Sequence, residues 1–273
     1  MKLWFTEDQT DSVRLGLKIE SLLWKETTAY QELVVANTDA YGRLLVLDGA
    51  VQTTIGDEFV YHEMITHVPL ALHPHPKKVA VIGGGDGGAI REILKHPSVE
   101  EAHLIEIDEK VVQASLRFFP EIAVSLDDER AFVHYTDGIQ WVKEAKDFDV
   151  IIVDSTDPVG PAEGLFVPEF YRSIYQALGD HGIMVAQSES PFLQPHLIRR
   201  VMTGIGAAFP VTKLYLAAIP TYPSGLWSFS LGAKGDLVSD LRPHLMDMPT
   251  RYWTPQIQKS CFDLPKFVQE LVR

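Results

Sequence analysis

The apolar run Val150-Ile151-Ile152-Val153 ends in Asp154, and a second aspartate follows three residues later in Asp154-Ser155-Thr156-Asp157-Pro158. A short apolar run bounded by polar residues predicts a buried strand, so the two acids fall where a strand gives way to a loop. Turn chemistry alone accounts for an Asp-Pro step. A third acid, Asp86, lies in the turn Gly83-Gly84-Gly85-Asp86-Gly87-Gly88, which follows another short apolar run at 78–82. With both runs in one parallel sheet, Asp86, Asp154 and Asp157 share its carboxyl edge, where open α/β sheets bind ligands. Carboxylates gathered in one mouth repel each other unless a cation is present. A hard metal ion held by oxygen ligands is one candidate; a polycationic amine is the other.

The same edge offers a second kind of site. Glycines at the 83–88 turn let the backbone bend tightly and approach a ligand. The next strand ends in Glu106-Ile107-Asp108, where a carboxylate can accept hydrogen bonds from ribose hydroxyls. A third strand ends in Asp137-Gly138, where an acid can meet an adenine amino group. Each acid taken alone can be an ordinary loop cap. Together they favour a nucleoside. A dinucleotide fits less well, because Asp86 would sit beside the pyrophosphate and oppose its charge.

These residues need a scaffold. From Lys77 onward apolar runs alternate with helical patterns: strands at 78–82, 102–107, 131–135, 150–153, 182–187, 211–218 and 226–231, with helices at 87–95, 109–118, 167–178 and 195–209 between them. Continuous apolar strands alternating with helices imply an α/β fold with a mostly parallel sheet covered on both faces. The stretch 11–55 reads instead as short strands, and Asp48-Gly49 between apolar runs is a hairpin signal. It predicts a small antiparallel β-domain over residues 1–56, with a larger unit over 57–273. Phe59, Met64, Ile65, Val68 and Leu72 recur at helical spacing. His73-Pro74-His75-Pro76 then ends that helix and reads as a linker, not a metal site.

Composition narrows the class further. Of 273 residues, 46% are apolar and 22% charged, ordinary for a soluble globular protein. A net charge of −13 argues against nucleic acid, whose phosphates need a basic surface. It favours cationic ligands, though solubility alone also explains it. No apolar run reaches the ~18 residues needed to span a bilayer, and Met1 to Thr10 lacks an apolar signal core. The single cysteine, Cys261, cannot form an internal disulfide. A cytoplasmic location is expected.

Jointly, GGGDGG at 83–88, the strand ending in Glu106-Ile107-Asp108, Asp137-Gly138 and DSTDPxGP at 154–161 resemble the spermidine synthase family, in its bacterial form. So do Tyr61-His62-Glu63-Met64, Ser188-Glu189-Ser190-Pro191 and Thr221-Tyr222-Pro223. The likeness covers nearly the whole chain. It implies a methyltransferase-like Rossmann fold with a seven-stranded, mostly parallel sheet. It implies aminopropyl transfer from decarboxylated S-adenosylmethionine, as co-substrate, to putrescine, with no metal and no prosthetic group. Agmatine, cadaverine or spermidine are alternative acceptors. A small-molecule methyltransferase and a non-catalytic nucleoside-binding scaffold are the more distant readings.

Carried onto this chain, the family's nucleoside contacts fall on Gln31, Gly83, Gly85, Glu106, Asp137, Gly138 and Pro161. Its amine contacts fall on Tyr61, His62, Asp86, Asp154, Asp157 and Tyr222, and its catalytic base on Asp154. His62 is often a glutamine in relatives outside bacteria. Glu189 reads as a residue behind the site or a helix cap. Trp4, Trp24 and Trp227 line the amine channel or, more simply, pack in the core or at an oligomer contact. A homodimer or homotetramer is expected.

Overall fold

Why the strand Phe148–Asp154, β9, must be central follows from its side chains. Val150 and Ile152 pack on one face of a sheet and Ile151 and Val153 on the other, all of them at most 2% exposed. A strand buried on both faces has no polar alternation. The computed structural model, which describes residues 2–156 and 164–272, places it in a seven-stranded sheet. Five of the strands run parallel: β6 (Lys78–Gly83), β7 (Glu101–Glu106), β8 (Ala131–Tyr135), β9 (Phe148–Asp154) and β10 (Leu178–Gln187). Beside β10, β12 (Leu226–Ala233) runs antiparallel and pairs with β11 (Val211–Ala218) at the edge. The order is β11-β12-β10-β9-β6-β7-β8. Chain direction across the sheet reverses between β6 and β9, so a crevice opens beyond their carboxyl ends.

One layer against the sheet is led by α1 (Glu58–Leu72) and α2 (Gly88–Ile93). The other holds α5 (Gly138–Glu144), α6 (Pro168–Ala177) and α7 (Pro195–Gly206). Beside β7 run α3 (Glu109–Phe118) and the short α4 (Pro120–Ala123), and the chain ends with α8 (Pro255–Ser260) and α9 (Lys266–Gln269). None of the helices among the described residues is long and apolar enough to cross a membrane.

The N-terminal sheet is antiparallel, in the order β1 (Leu3–Thr10), β2 (Val13–Thr27), β3 (Glu32–Thr38), β4 (Gly42–Leu47) and β5 (Ala50–Thr54). Asp48 and Gly49 join β4 to β5 with φ of 48° and 83°, the double left-handed conformation of a tight hairpin. The sequence reading began the strands at residue 11 and so missed β1. That strand lies at the sheet edge, and its inward positions after Leu3 are Phe5, Glu7 and Gln9, against exposed Trp4, Thr6 and Asp8, so its alternation in burial is not an alternation of apolar and polar residues. Leu33, Val35, Leu45 and Leu47 pack against Val111, Ala114, Phe119 and Ile122, fastening this sheet to α3 and α4.

Helix α1 is buried all round, and three consecutive side chains leave it in different directions. Tyr61 and His62 enter the crevice; Glu63 turns to the C-terminal segment. Its carboxylate accepts the backbone N–H groups of Arg251, Tyr252 and Trp253, each at 2.7 Å. Glu63→Gln puts an amide NH2 where an acceptor is required. It is expected to cost roughly 2–4 kcal/mol, since bonds to charged groups are strong and orphaned buried N–H groups are costly; urea denaturation checks it.

Candidate active site

Side-chain alternation along β9 aims its last residue. Asp154 follows Val150 and Ile152 in register and so faces the α1 layer. There the Tyr61 hydroxyl donates to Asp154 Oδ1 at 2.5 Å. The neighbouring strand end is shaped to the same residue. The Gly84 N–H donates to the Asp154 carbonyl at 2.8 Å, with Gly83 and Gly84 at φ of 85° and 67°. A Cβ on Gly83 would stand 2.1 Å from the Asp154 carbonyl oxygen, and one on Gly84 2.7 Å from Asp154 Oδ2. These glycines are therefore required by the approach of β9 as much as by any ligand.

Asp86 lies at the other side of the turn. Its Oδ1 accepts the Gly88 N–H at 2.8 Å, and its Oδ2 lies 3.2 Å from His62 Nε2. Burial and then the like charge of Asp86 raise the Asp154 carboxyl to a pKa of about 6, against the opposing pull of His62 and the Tyr61 hydroxyl. Burial, followed by the nearby Asp154 charge, pushes the Tyr61 phenol well above its usual value, so it remains a hydrogen-bond donor. Tyr222 completes this end. Its ring lies 5.4 Å from that of Tyr61 and 4.8 Å from Trp227, and its hydroxyl donates to the Gln52 carbonyl at 2.6 Å. Asp57 fixes the loop that carries it, accepting from the Thr221 N–H and hydroxyl at 2.9 and 2.8 Å.

The second end of the crevice gathers the remaining strand ends. Glu106 is buried, and burial raises its carboxyl to about 7 even though the Asp108 N–H donates to its Oε1 at 2.8 Å. Gly85 is tight against it, since a Cβ there would lie 2.9 Å from Glu106 Oε2. Asp108 Oδ2 accepts the Gln31 amide at 3.0 Å and the Thr28 hydroxyl at 2.7 Å, bringing a residue of the N-terminal sheet region to this edge. Asp137 caps α5 through the Ile139 N–H at 2.7 Å, and a Cβ on Gly138 would meet Ile82 at 2.4 Å.

The sequence-derived residues thus fall into two groups on one sheet edge: Tyr61, His62, Asp86, Asp154 and Tyr222 beside α1, and Gln31, Gly85, Glu106, Asp137 and Gly138 toward β7 and β8, with Gly83 between. Asp157 and Pro161 lie outside the described residues. Glu189 is buried at positive φ, 71°, and its backbone bonds the Ser228 side chain behind the sheet. Trp4 is exposed on β1 and Trp24 packs on Phe118 and Arg117, whereas Trp227 backs Tyr222. Among the described residues, no group of three or more His, Cys, Asp or Glu is placed to hold a metal ion. The reading of the sequence passed over Glu58 and Arg91, which contact His62 directly and through Glu58. The i,i+4 spacing of Glu58 and His62 was the available signal.

Residues 58–240 match the spermine/spermidine synthase domain, and residues 3–54 match the spermidine synthase tetramerisation domain. A polyamine aminopropyltransferase of Caldicellulosiruptor bescii is 56% identical over 100% of this chain and 99% of its own. That of Clostridium tetani is 53% identical over 100% and 98%. Among solved structures, a spermidine synthase in complex with the transition state analogue AdoDATO superposes with a TM-score of 0.95 at 38% identity, covering 99% of this chain and 94% of that one. The spermidine synthase of Thermotoga maritima gives 0.92 at 37% identity, with the same coverage. The chain belongs to the spermine/spermidine synthase family and is an aminopropyltransferase.

Proposed function

We propose that the enzyme transfers the aminopropyl group of decarboxylated S-adenosylmethionine to putrescine, giving spermidine and methylthioadenosine. Gln31, Gly83, Gly85, Glu106, Asp137, Gly138 and Pro161 hold the nucleoside; Tyr61, Asp86, Asp157 and Tyr222 hold the amine groups, with His62 acting on them through Asp86. Asp154 is the base. The observation that carries the reading is its position: a half-buried carboxylate of raised proton affinity, bonded to Tyr61, beside the glycine turn that would present the donor.

The reaction requires such a group. An alkylammonium with a pKa near 10.4 has no lone pair at pH 7, and freeing one costs roughly 4.6 kcal/mol. As the amine nitrogen forms its bond to the carbon beside sulfur, the C–S bond breaks. Its electrons neutralise the sulfonium, and the ammonium proton passes to Asp154. Alignment of nitrogen, carbon and sulfur supplies several kcal/mol more. Before substrate arrives, Asp86 and Asp154 repel each other, and a cation relieves that repulsion.

The purified protein is to be assayed with both S-adenosylmethionine and its decarboxylated form against putrescine, cadaverine, agmatine and spermidine. Aminopropyl transfer with putrescine at the highest kcat/KM is expected; preference for another amine overturns the acceptor, and methyl transfer overturns the reading. Asp86 is assigned a further part, attraction of the donor's ammonium and repulsion of the carboxylate that ordinary S-adenosylmethionine retains. Asp86→Asn is therefore expected to narrow the preference between donors by roughly tenfold or more, measured as a ratio of kcat/KM values. The tetramerisation-domain match and the exposed Leu3, Trp4 and Leu22 support self-association through the N-terminal sheet, as a homodimer or homotetramer. Light scattering distinguishes the two.

A further inference from the structure

A row of alternating charges runs from the crevice into the space between α1 and α2. His62 is buried, and each ring nitrogen faces a carboxylate: Nδ1 is 2.5 Å from Glu58 Oε2, and Nε2 is 3.2 Å from Asp86 Oδ2. An ionised carboxylate only accepts hydrogen bonds, so two such neighbours ask both nitrogens to donate. Arg91 keeps Glu58 ionised. Its Nη1 and Nη2 bond the two Glu58 oxygens at 3.1 and 2.9 Å, and its Nε bonds Glu92 at 2.8 Å. The ring is also confined, since a Cβ on Gly88 would fall 2.2 Å from His62 Cε1.

We propose that Glu58 and Arg91 are positioning residues of the transfer reaction, holding His62 as an imidazolium whose Nε2–H fixes the Asp86 carboxylate. The inference rests on the reading of this end of the crevice as the amine site. Asp86 then has one oxygen held by the Gly88 N–H and the other by His62. Its orientation is set before a substrate ammonium takes the remaining lone pairs. The fixed cation also moderates the repulsion between Asp86 and Asp154. The charged and titratable groups facing His62 are Glu58 and Tyr61 from α1, Asp86 from the glycine turn and Asp154 from β9, with Arg91 of α2 behind Glu58. Burial alone would lower the His62 pKa, but Asp86 and Glu58 raise it well above the usual value. At Glu58 burial pushes upward, and His62 and Arg91 outweigh it to give about 2.

The test is 15N NMR of histidine-labelled protein without substrate, with His62 assigned by the signal lost in His62→Gln. Both His62 nitrogens are expected to stay protonated up to pH 8. In Glu58→Gln the ring is expected to titrate near the ordinary value of about 6.5, and Arg91→Lys to fall between. In parallel, kcat/KM of Glu58→Gln falls relative to the unmodified protein as pH rises through the ring's titration, because Asp86 then loses the charged Nε2–H that holds it. A merely structural role would lower the melting temperature and leave both readouts in place. A neutral His62 in the unmodified protein at pH 7 overturns the proposal, as does an unchanged titration in Glu58→Gln. Should that variant fail to fold, the spectrum of the unmodified protein and Arg91→Lys decide. None of the spectra depends on which amine is the acceptor.

Discussion

Asp154→Asn is expected to lower kcat by roughly 10²–10⁴-fold, the usual worth of a positioned base, with a smaller change in the affinity for the nucleoside. Asparagine keeps the shape that Gly83 and Gly84 accommodate, and its carbonyl can still accept from the Tyr61 hydroxyl. What it lacks is a place for the ammonium proton. Single-turnover rates separate this loss from product release. The same residue fixes the pH dependence. With a pKa of about 6, Asp154 is ionised and competent above that pH. Below it the group already holds a proton, so log kcat/KM falls as pH falls, with unit slope. The residual activity of Asp154→Asn is expected to lack this limb. An acid limb retained unchanged in the variant would assign the base to another group.

Gly83→Ala is expected to be the most damaging of the small substitutions. Its φ of 85° disfavours any side chain, and the added Cβ would overlap the Asp154 carbonyl at 2.1 Å. Relief requires β6 and β9 to move apart at the point where their ends form the crevice. A loss of roughly 2–4 kcal/mol in stability and more than about a hundredfold in kcat/KM is expected. Gly49→Ala is the control, because its φ is 83° but nothing lies within 4 Å of the added Cβ. It carries only the cost of the left-handed backbone, roughly 1–2 kcal/mol, with kcat/KM unchanged. Denaturant melts and steady-state kinetics on both variants distinguish steric overlap from backbone preference.

These contrasts show what was legible beforehand. The strand ends were, because a strand buried on both faces announces itself as an apolar run, and in a parallel sheet those ends share one edge. Asp86, Glu106, Asp137 and Asp154 were found in that way. Tyr61, His62 and Tyr222 came only from the family resemblance, since nothing local brings α1 or residues 221–223 to that edge. Glu58 and Arg91 were missed although they touch or support His62. Glu58 stands four residues before His62 and could have been read from that spacing, whereas Arg91 meets Glu58 across 33 positions, which no local period records. Asp57 holds Thr221 across 164 positions for the same reason. The edge strand β1 was missed because its inward face carries the polar Glu7 and Gln9 and its outward face the apolar Trp4, and Asp157 and Pro161 keep the roles the resemblance gives them as proposals.

Helix α1 has a consequence for how such enzymes can diverge. Tyr61 reaches Asp154, His62 reaches Asp86 and Glu63 reaches the C-terminal segment, all from one buried turn. Successive residues of an α-helix point about 100° apart. Inserting or deleting one residue before this turn would rotate all three away from their partners together, so no single compensating substitution restores them. Length changes among descendants of this chain must therefore collect in its loops, and new amine preferences must arise by exchanging side chains at fixed places, not by shifting the helix that presents them.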